Sequence, residues 1–336
     1  LSLVGSEMCI RDSMYPIQRN RRLRSSPSLR ALVQEHKLSA DDFIVPLFII
    51  EGKQKREIIP SMPGYFRITL DLIPEYVKNL WSLGLKSVLI FVKISEKLKD
   101  NKGLEALNSG GLMHSAIKKV KDAVPDMVVM TDVALDPYSS YGHDGIVDKG
   151  KIINDKTIAV LSKMALSHAE AGADVVAPSD MMDGRILKIR QLLESENYQD
   201  TVIMSYSAKY SSSFYGPFRD ALDSAPGFGD KKTYQMDFGN RKEAIVEAQR
   251  DIDEGADIIM IKPGIAYLDI IRDLKENITA PLAAYQVSGE YAMLKAAAER
   301  GWLDHDQIMM EQLLSFKRAG ASMIASYFAE EAVKLI

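Results

Sequence analysis

Cysteine is nearly absent from the sequence: Cys9 is the only one among 336 residues. One thiol cannot form an internal disulfide framework or a cysteine-rich zinc site, which excludes the small secreted folds that depend on them. We therefore expect a protein of the reducing cytoplasm.

Long apolar runs and an excess of basic residues are also lacking. No stretch of 18 uncharged apolar residues occurs, so the sequence predicts no membrane span. The chain has 46 acidic and 42 basic residues, a net charge of −4, which argues against a nucleic-acid binder. Its length and its 46% of hydrophobic residues suffice for one large α/β barrel or two ordinary domains.

Two segments precede the first apolar run. Residues 1–13, LSLVGSEMCIRDS, fit no later pattern and have too short an apolar stretch for a secretory signal, so we expect a non-native extension with Met14 as the start. Residues 14–35 begin with basic residues and predict an arm that contacts neighbouring subunits, with a partly disordered tail as the alternative. No Ser/Arg-rich transit region follows Met14, which favours a bacterial source, while a plastid location stays open.

From residue 43 onward, eight apolar runs alternate with helical patterns. The runs are 43–50, 87–93, 127–135, 173–179, 201–207, 256–262, 281–287 and 321–328. Near-continuous apolar strands separated by helices indicate a parallel sheet covered on both faces. Residues 36–336 are therefore predicted to form a (β/α)₈ TIM barrel. A doubly wound open sheet is the alternative, but the glycine-rich loop usual after its first strand is missing from EGKQKREIIPSMPG.

Two lysines follow neighbouring predicted strands. Lys209 comes after the fifth run and Lys262 ends the sixth, at the barrel face where active sites lie. Adjacent strands are about 5 Å apart, so both amines can enter one pocket. Apolar surroundings and a neighbouring cation lower the pKa of a lysine from about 10.4, which activates it to form a Schiff base with a carbonyl. The alternative is a structural lysine that reaches solvent or pairs with a substrate.

The segment after Lys209 has the composition of a mobile lid. Residues 210–237, YSSSFYGPFRDALDSAPGFGDKKTYQMD, are rich in small residues and contain several glycines and prolines. Arg219, Lys231 and Lys232 are cations suited to a substrate carboxylate. The alternative is a loop whose charges face water.

Five segments resemble the porphobilinogen synthase, or δ-aminolevulinic acid dehydratase, family. They are VVAPSDMMDGR (175–185), SAKYSSSFYGPFRDA (207–221), KKTYQMDFGNRKEA (231–244), IIMIKPGIAYLDI (258–270) and AAYQVSGEYAML (283–294). The resemblance implies a TIM barrel that condenses two 5-aminolevulinate molecules into porphobilinogen, with loss of two waters, in the biosynthesis of haem and other tetrapyrroles. It also implies a homo-octamer in which each arm wraps a neighbour. From the residues alone, an aldolase-type Schiff-base barrel or an inactive barrel scaffold are the alternatives, although an aldolase needs only one active lysine.

The resemblance also implies roles for single residues. Lys262 is similar to the lysine that binds the substrate giving the propionate side, and Lys209 to the lysine that engages the other substrate. Arg219 and Lys231 match lid cations that hold this second substrate.

Ser288 and Tyr327 match groups that hold the carboxylate of the first substrate. The alternative for Ser288, instead of or beside that role, is a helix N-cap, since a helical pattern begins at Gly289. Asp132 and Ser179 are candidates for moving protons, as is the acidic pair Asp136 and Asp144.

The same likeness separates the chain from the zinc-dependent members. Those place three cysteines where this chain has Ala134, Asp136 and Asp144. Two carboxylates without a thiolate make a poor zinc site, so no catalytic zinc is expected. The chain resembles the aspartate-type branch, in which Asp136 and Asp144 orient the amine of the second substrate.

A second metal is implied at a distance from the lysines. Glu243, Glu247, Asp251 and Glu254 form a stripe along the helical pattern of residues 240–254. By spacing alone this stripe is a solvated acidic face. The resemblance implies an activating Mg²⁺ at Glu247, bound mostly through water, as Mg²⁺ prefers.

Overall fold

A computed structural model describes residues 15–224 and 226–336 of the chain. The expected extension of residues 1–13 and the expected start Met14 lie outside the described residues. The chain divides after Lys37 into two compact units.

The described part of the first unit is built from two short helical turns. A 3-10 helix at Asn20–Arg24 is followed by helix α1 (Pro27–Leu32). Ser26 caps α1, because its hydroxyl accepts a hydrogen bond from the backbone N–H of Leu29 at 3.2 Å. A role for this unit in subunit contacts stays a prediction.

The second unit contains the strands, which are β1 (Phe43–Ile50), β2 (Arg56–Ile58), β3 (Phe66–Thr69), β4 (Ser87–Lys93), β5 (Val128–Val133), β6 (Val147–Asp148), β7 (Lys151–Ile152), β8 (Val175–Pro178), β9 (Val202–Lys209), β10 (Ile258–Lys262), β11 (Leu282–Gln286) and β12 (Met323–Ser326). Eight of them, β1, β4, β5, β8, β9, β10, β11 and β12, pair in parallel in that order, and β12 pairs with β1. This pairing closes the sheet. The predicted TIM barrel is confirmed, and the open-sheet alternative is wrong.

Helices connect these strands: α2 (Ile73–Ser82), α3 (Leu112–Ala123), α4 (Asn154–Glu170), α5 (Arg185–Ser195), α6 (Gly216–Leu222), α7 (Glu243–Asp253), α8 (Leu268–Asn277), α9 (Ser288–Glu299), α10 (His305–Ala319) and α11 (Ala329–Ala332). Gly172 and Gly255, just past α4 and α7, have φ angles of +105° and +107°. Such angles strain residues with a side chain, so glycine ends these helices. Of the helices that the structure describes, none is both long and apolar enough to cross a bilayer.

Aromatic side chains pack in the barrel interior below the rim that the carboxyl ends of the strands form. The ring of Phe48 in β1 lies 5.6 Å from that of Phe91 in β4, and Phe91 lies 6.5 Å from Tyr285 in β11. All three are buried. Their packing gives the strand ends a rigid floor.

A hairpin of β2 and β3 extends the rim beside β1. Strand β3 pairs in parallel with the last residues of β1, placing Arg67 opposite Phe48. Strand β2 pairs antiparallel with β3 and sets Glu57 opposite Arg67. The hairpin therefore holds Arg67 at the end of the barrel where the lysines lie.

Candidate active site

Lys209 and Lys262 are the last residues of β9 and β10 and are Cα partners in their parallel pairing. Both side chains are buried. They line a cavity of about 30 Å³ together with Asp132, Asp136, Ser179, Tyr215, Phe218, Arg219, Ser224, Lys231 and Gln235. Seven of the predicted site residues thus meet in one place. Barrel topology brings the carboxyl ends of the strands to one rim, and the segment after Lys209 adds Arg219 and Lys231.

The amine of Lys262 lies among aromatic rings. Its Nζ is 5.1 Å from the ring centre of Tyr206, 5.4 Å from Tyr215, 4.7 Å from Phe218 and 4.6 Å from Tyr285. Burial lowers the pKa of Lys262 to about 7, the charge of Lys209 acts in the same direction, and Asp132 opposes both. The amine is therefore neutral often enough near pH 7 to act as a nucleophile.

The rings around Lys262 were not predicted from the sequence. Tyr206 and Tyr285 lie within apolar runs, where an aromatic residue is typical of any buried strand. Only the closed barrel shows that both rings point towards the same amine.

Lys209 has polar surroundings instead. Its Nζ donates to the backbone carbonyl of Ser179 and lies 3.5 Å from Oδ2 of Asp144. Ser179, predicted to move protons, thus also positions this amine through its backbone. The two lysines meet in one pocket but differ in what each amine touches.

We call residues 210–237 the lid segment. Its Lys231 is buried between two carboxylates. Its Nζ lies 2.5 Å from Oδ1 of Asp144 and 3.2 Å from Oδ2 of Asp136. Burial opposes its charge, but the two carboxylates outweigh that effect and raise the pKa of Lys231. Burial likewise opposes the charge of Asp144, yet Lys231 and Lys209 lower its pKa. The solvated-loop alternative is therefore wrong for Lys231, whereas Lys232 is exposed.

Asp132, in β5, is the carboxylate best placed to exchange a proton. Burial raises the pKa of Asp132 to about 7, and the charge of Asp136 adds to this, while Ser179 and both strand-end lysines oppose it. A group with such a pKa can both accept and return a proton near neutral pH.

Ser288 contacts the lid segment rather than capping its helix. It is the first residue of α9, and its Oγ accepts the backbone N–H of Phe218 at 2.9 Å. The N-cap residue is Val287, whose N–H donates to the carboxylate of Glu290 at 2.9 Å. The N-cap alternative for Ser288 is wrong, because Ser288 already lies inside the helix and its Oγ accepts the N–H of Phe218.

Glu290 is a site-supporting residue that the sequence did not reveal. Its buried carboxylate also accepts the backbone N–H groups of Ile265 at 2.8 Å and of Gly264 and Ala266 at 3.4 Å. It thereby joins the turn after Lys262 to the start of α9. Burial raises the pKa of Glu290 to about 7, although these N–H groups favour its charged form.

Tyr327 is buried beside the aromatic floor. Its hydroxyl lies 3.0 Å from that of Tyr285, whose ring contacts Lys262. It is not among the residues that line the cavity.

Helix α7 does not present the whole predicted acidic stripe to solvent. Asp251 is buried and pairs with Arg185 of α5 at 3.3 Å. The stripe prediction is wrong for this residue, since spacing along one helix cannot show an arginine on another helix.

His143, beside the acidic pair in sequence, forms hydrogen bonds with the hydroxyl of Tyr234 and the backbone carbonyl of Phe228.

Glu247 lines a separate cleft of about 960 Å³ together with Asp183, Glu243 and part of the lid segment. Burial raises the pKa of Glu247, and the charge of Asp251 contributes. Arg250 lies 3.5 Å away. Within residues 15–224 and 226–336, no three His, Cys, Asp or Glu side chains cluster as a metal site would require.

Comparisons with a family model and with curated relatives all lead to one family. The family model for delta-aminolevulinic acid dehydratase matches residues 17–335. The chain is 48% identical to the delta-aminolevulinic acid dehydratase of Bacillus subtilis, covering 94% of this chain and 97% of that protein. It is 52% identical to the chloroplastic delta-aminolevulinic acid dehydratase 1 of Arabidopsis thaliana, over 94% of this chain and 74% of that one.

A solved structure is similar along nearly the whole chain. It is the delta-aminolevulinic acid dehydratase of Toxoplasma gondii in complex with the reaction product porphobilinogen. The identity is 50%, the TM-score is 0.93, and the likeness covers 96% of this chain and 92% of that one.

Proposed function

The chain belongs to the delta-aminolevulinic acid dehydratase family, and we propose that it condenses two 5-aminolevulinate molecules into porphobilinogen through imines on Lys262 and Lys209. One observation carries the assignment of these residues. The two amines project from paired positions on β9 and β10 into one buried cavity, and the pKa of Lys262 is lowered to about 7.

The chemistry follows from these surroundings. The neutral amine of Lys262 attacks the ketone of one substrate and releases water, which leaves an iminium that acidifies the neighbouring carbon. Asp132 has a pKa suited to accept a proton from that carbon and return it later. Lys209 engages the ketone of the second substrate. Over the cycle one C–C and one C–N bond form, and two waters leave.

The lid segment must move for substrate to enter. A cavity of about 30 Å³ holds roughly one water, far less than two keto acids. Arg219 lines the cavity, and Lys231 can exchange its partners Asp136 and Asp144 for a substrate carboxylate. The two aspartates are then free to bind the amine of the second substrate.

Ser288 and Tyr327 are assigned to the carboxylate of the first substrate. Ser288 lies beside Phe218, whose ring faces Lys262, and Tyr327 lies below Tyr285. Neutral hydroxyls bind a carboxylate without adding a further cation near Lys262.

Mg²⁺ at Glu247 is proposed as the activating ion. Glu247 faces a wide cleft that Asp183 and Glu243 also line, and the negative charge of Asp251 helps to raise its pKa. Carboxylates around a wide cleft suit a cation that keeps most of its water ligands. The bound ion would add positive charge beside the lid segment, which lines the same cleft. We expect Glu247→Gln to abolish activation by added Mg²⁺. Glu276→Gln, which changes an exposed residue of α8, should retain it. Activation that survives Glu247→Gln contradicts this site.

No step is assigned to zinc. Asp136 and Asp144 hold Lys231 between them, and Ala134 has no donor atom. We expect activity to survive a strong zinc chelator; activity that only zinc restores would overturn this assignment.

A cytoplasmic homo-octamer is the assembly that we propose, with residues 14–35 as the contact arm. Light scattering on the full chain and on a variant without residues 14–35 tests this. The full chain should have the mass of eight subunits, and the shortened chain a smaller assembly.

The activity itself is tested with purified protein and 5-aminolevulinate, with porphobilinogen measured by mass spectrometry. We expect product from the natural sequence and from Lys232→Met, which removes an exposed cation, and none from Lys262→Met. A folded natural chain that forms no porphobilinogen, with or without Mg²⁺, contradicts the proposal.

A further inference from the structure

Three cations converge on the C-terminal end of α6, the helix within the lid segment. The first is Arg67 of the β2–β3 hairpin. Its Nε donates to the backbone carbonyl of Ala221 at 2.6 Å, and its Nη2 donates to that of Asp220 at 2.7 Å. Only 4% of Arg67 is exposed. Both hydrogen bonds exist only while α6 lies over the barrel rim.

Lys93 and Lys99 complete this contact. Lys93, at the end of β4, places its Nζ 2.6 Å from the carboxylate of Asp223. Lys99 donates to the backbone carbonyl of Asp223 at 3.0 Å. Carbonyl groups in the last turn of a helix lack partners within it, and here cations of the barrel supply partners.

The same helix carries groups of the candidate site. The backbone N–H of Phe218 binds Ser288, and its ring lies 4.7 Å from the amine of Lys262. Arg219 lines the cavity. The position of α6 therefore determines whether these groups reach the amine and its substrate.

We propose that Arg67 is a positioning residue for the reaction, which holds α6 closed over Lys262, with Lys93 and Lys99 as its auxiliary cations. The inference rests on the proposed function, since it concerns capture of the same substrate. Arg67 suits the role because β3 is fixed to β1, whose side chains form the buried core. Its fork of N–H groups reaches two consecutive carbonyls, which a lysine cannot do.

A purely structural role is the competing explanation, because Arg67 also pairs with Glu57 on the neighbouring strand. That role would lower the stability of the hairpin and leave substrate capture unchanged. We call the proposed role of Arg67, holding α6 closed over Lys262, the clamp. If Arg67 is a clamp, its loss should raise KM and make the lid segment open more often.

The test compares Arg67→Lys with Arg56→Lys, a matched change of an exposed arginine on the paired strand β2. KM and kcat are measured for both, and limited trypsin cleavage after Arg219 and Lys232 is mapped by mass spectrometry without substrate. For Arg67→Lys we expect KM and the cleavage rate to rise roughly tenfold, the effect of losing about one charge-assisted hydrogen bond. We expect kcat to change less, because bound substrate itself holds the lid segment closed. Arg56→Lys should behave as the natural chain.

A folded Arg67→Lys protein with unchanged KM and unchanged cleavage overturns the clamp. If that variant does not fold, the double variant Lys93→Met and Lys99→Met decides, with the same increases supporting the clamp and unchanged values overturning it. The cleavage assay needs no catalysis. Failure of the natural chain to make porphobilinogen would therefore contradict the proposed function, while the cleavage contrast still tests the clamp.

Discussion

Lys209 and Lys262 are register partners on adjacent barrel strands, yet their amines have opposite surroundings. The Lys209 amine lies 3.5 Å from Asp144, whereas that of Lys262 lies over four aromatic rings. Burial lowers the pKa of Lys262, and the charge of Lys209 acts in the same direction. The site thus places a cation beside a lysine whose pKa is lowered to about 7.

Removing the charge of Lys209 should alter the reactivity of Lys262. In Lys209→Met the second cause that lowers the pKa of Lys262 is gone, so that pKa rises. The rate of imine formation at Lys262, measured by reductive trapping across neutral pH, should then require a higher pH than in the natural chain. Lys232→Met serves as the control. An unchanged pH profile in Lys209→Met would show that the two amines are not electrostatically linked.

Burial of Lys262 should cost stability. Its pKa is about 7 in the folded chain, and about 10.4 is usual for an unfolded chain. Between these values the unfolded chain binds more protons, so this group makes stability rise with pH and makes it lowest below pH 7. Lys262→Met should therefore raise the free energy of unfolding by roughly 4 kcal/mol below pH 7, with the gain vanishing near pH 10.

Denaturant unfolding at acid, neutral and alkaline pH measures this gain. Lys188→Met, which changes an exposed lysine of α5, should show none. A Lys262→Met protein that is less stable than the natural chain at every pH would contradict the inferred cost.

Lys231 should have the opposite effect on stability. Lys231→Met leaves Asp136 buried without this cation and leaves Asp144 with only the more distant Lys209. Breaking a buried pair in this way costs about 3 kcal/mol. The folded pKa of Asp144 is lowered, so its pairing contributes stability above the unfolded pKa of about 3.9 and loses it as pH falls through the folded value.

The difference between Lys231→Met and the natural chain should therefore be full at neutral pH and shrink in acid. Thermal unfolding at neutral pH and in acid measures this difference in stability. Lys232→Met, which changes the exposed neighbouring lysine, is the matched control. Equal stability of the natural chain and Lys231→Met at neutral pH would refute the pairing.

Asp132 should be needed for turnover and dispensable for imine formation. Asp132→Asn removes the group that exchanges protons, and loss of such a group lowers kcat roughly 10²- to 10⁴-fold. Reductive trapping should still label Lys262. Asp126→Asn, an exposed change in the turn before β5, should retain full activity. Normal turnover in Asp132→Asn would show that another group exchanges the protons.

The sequence predicted the barrel and most of the site for a simple reason. Apolar runs define strand ends, and in a closed parallel sheet all the carboxyl ends meet at one rim. The sequence alone therefore places Lys209, Lys262 and Asp132 together. Their family likeness added roles that spacing cannot supply.

The contacts that were missed are those between elements distant in sequence. Asp251 fits a solvent-facing stripe by its spacing, but Arg185 of a different helix buries it. Glu290 binds a turn more than twenty residues earlier in the chain. Arg67 meets α6 across the rim. Periodicity describes one element at a time, so none of these pairs had a signal in the pattern.

Borohydride reduction in the presence of 5-aminolevulinate, followed by peptide mass mapping, tests the central claim most directly. The account predicts a substrate adduct on the peptide that carries Lys262, a second on Lys209 under saturating substrate, and none on Lys231 or Lys232. A folded, substrate-binding protein with no adduct on either Lys209 or Lys262 would contradict it.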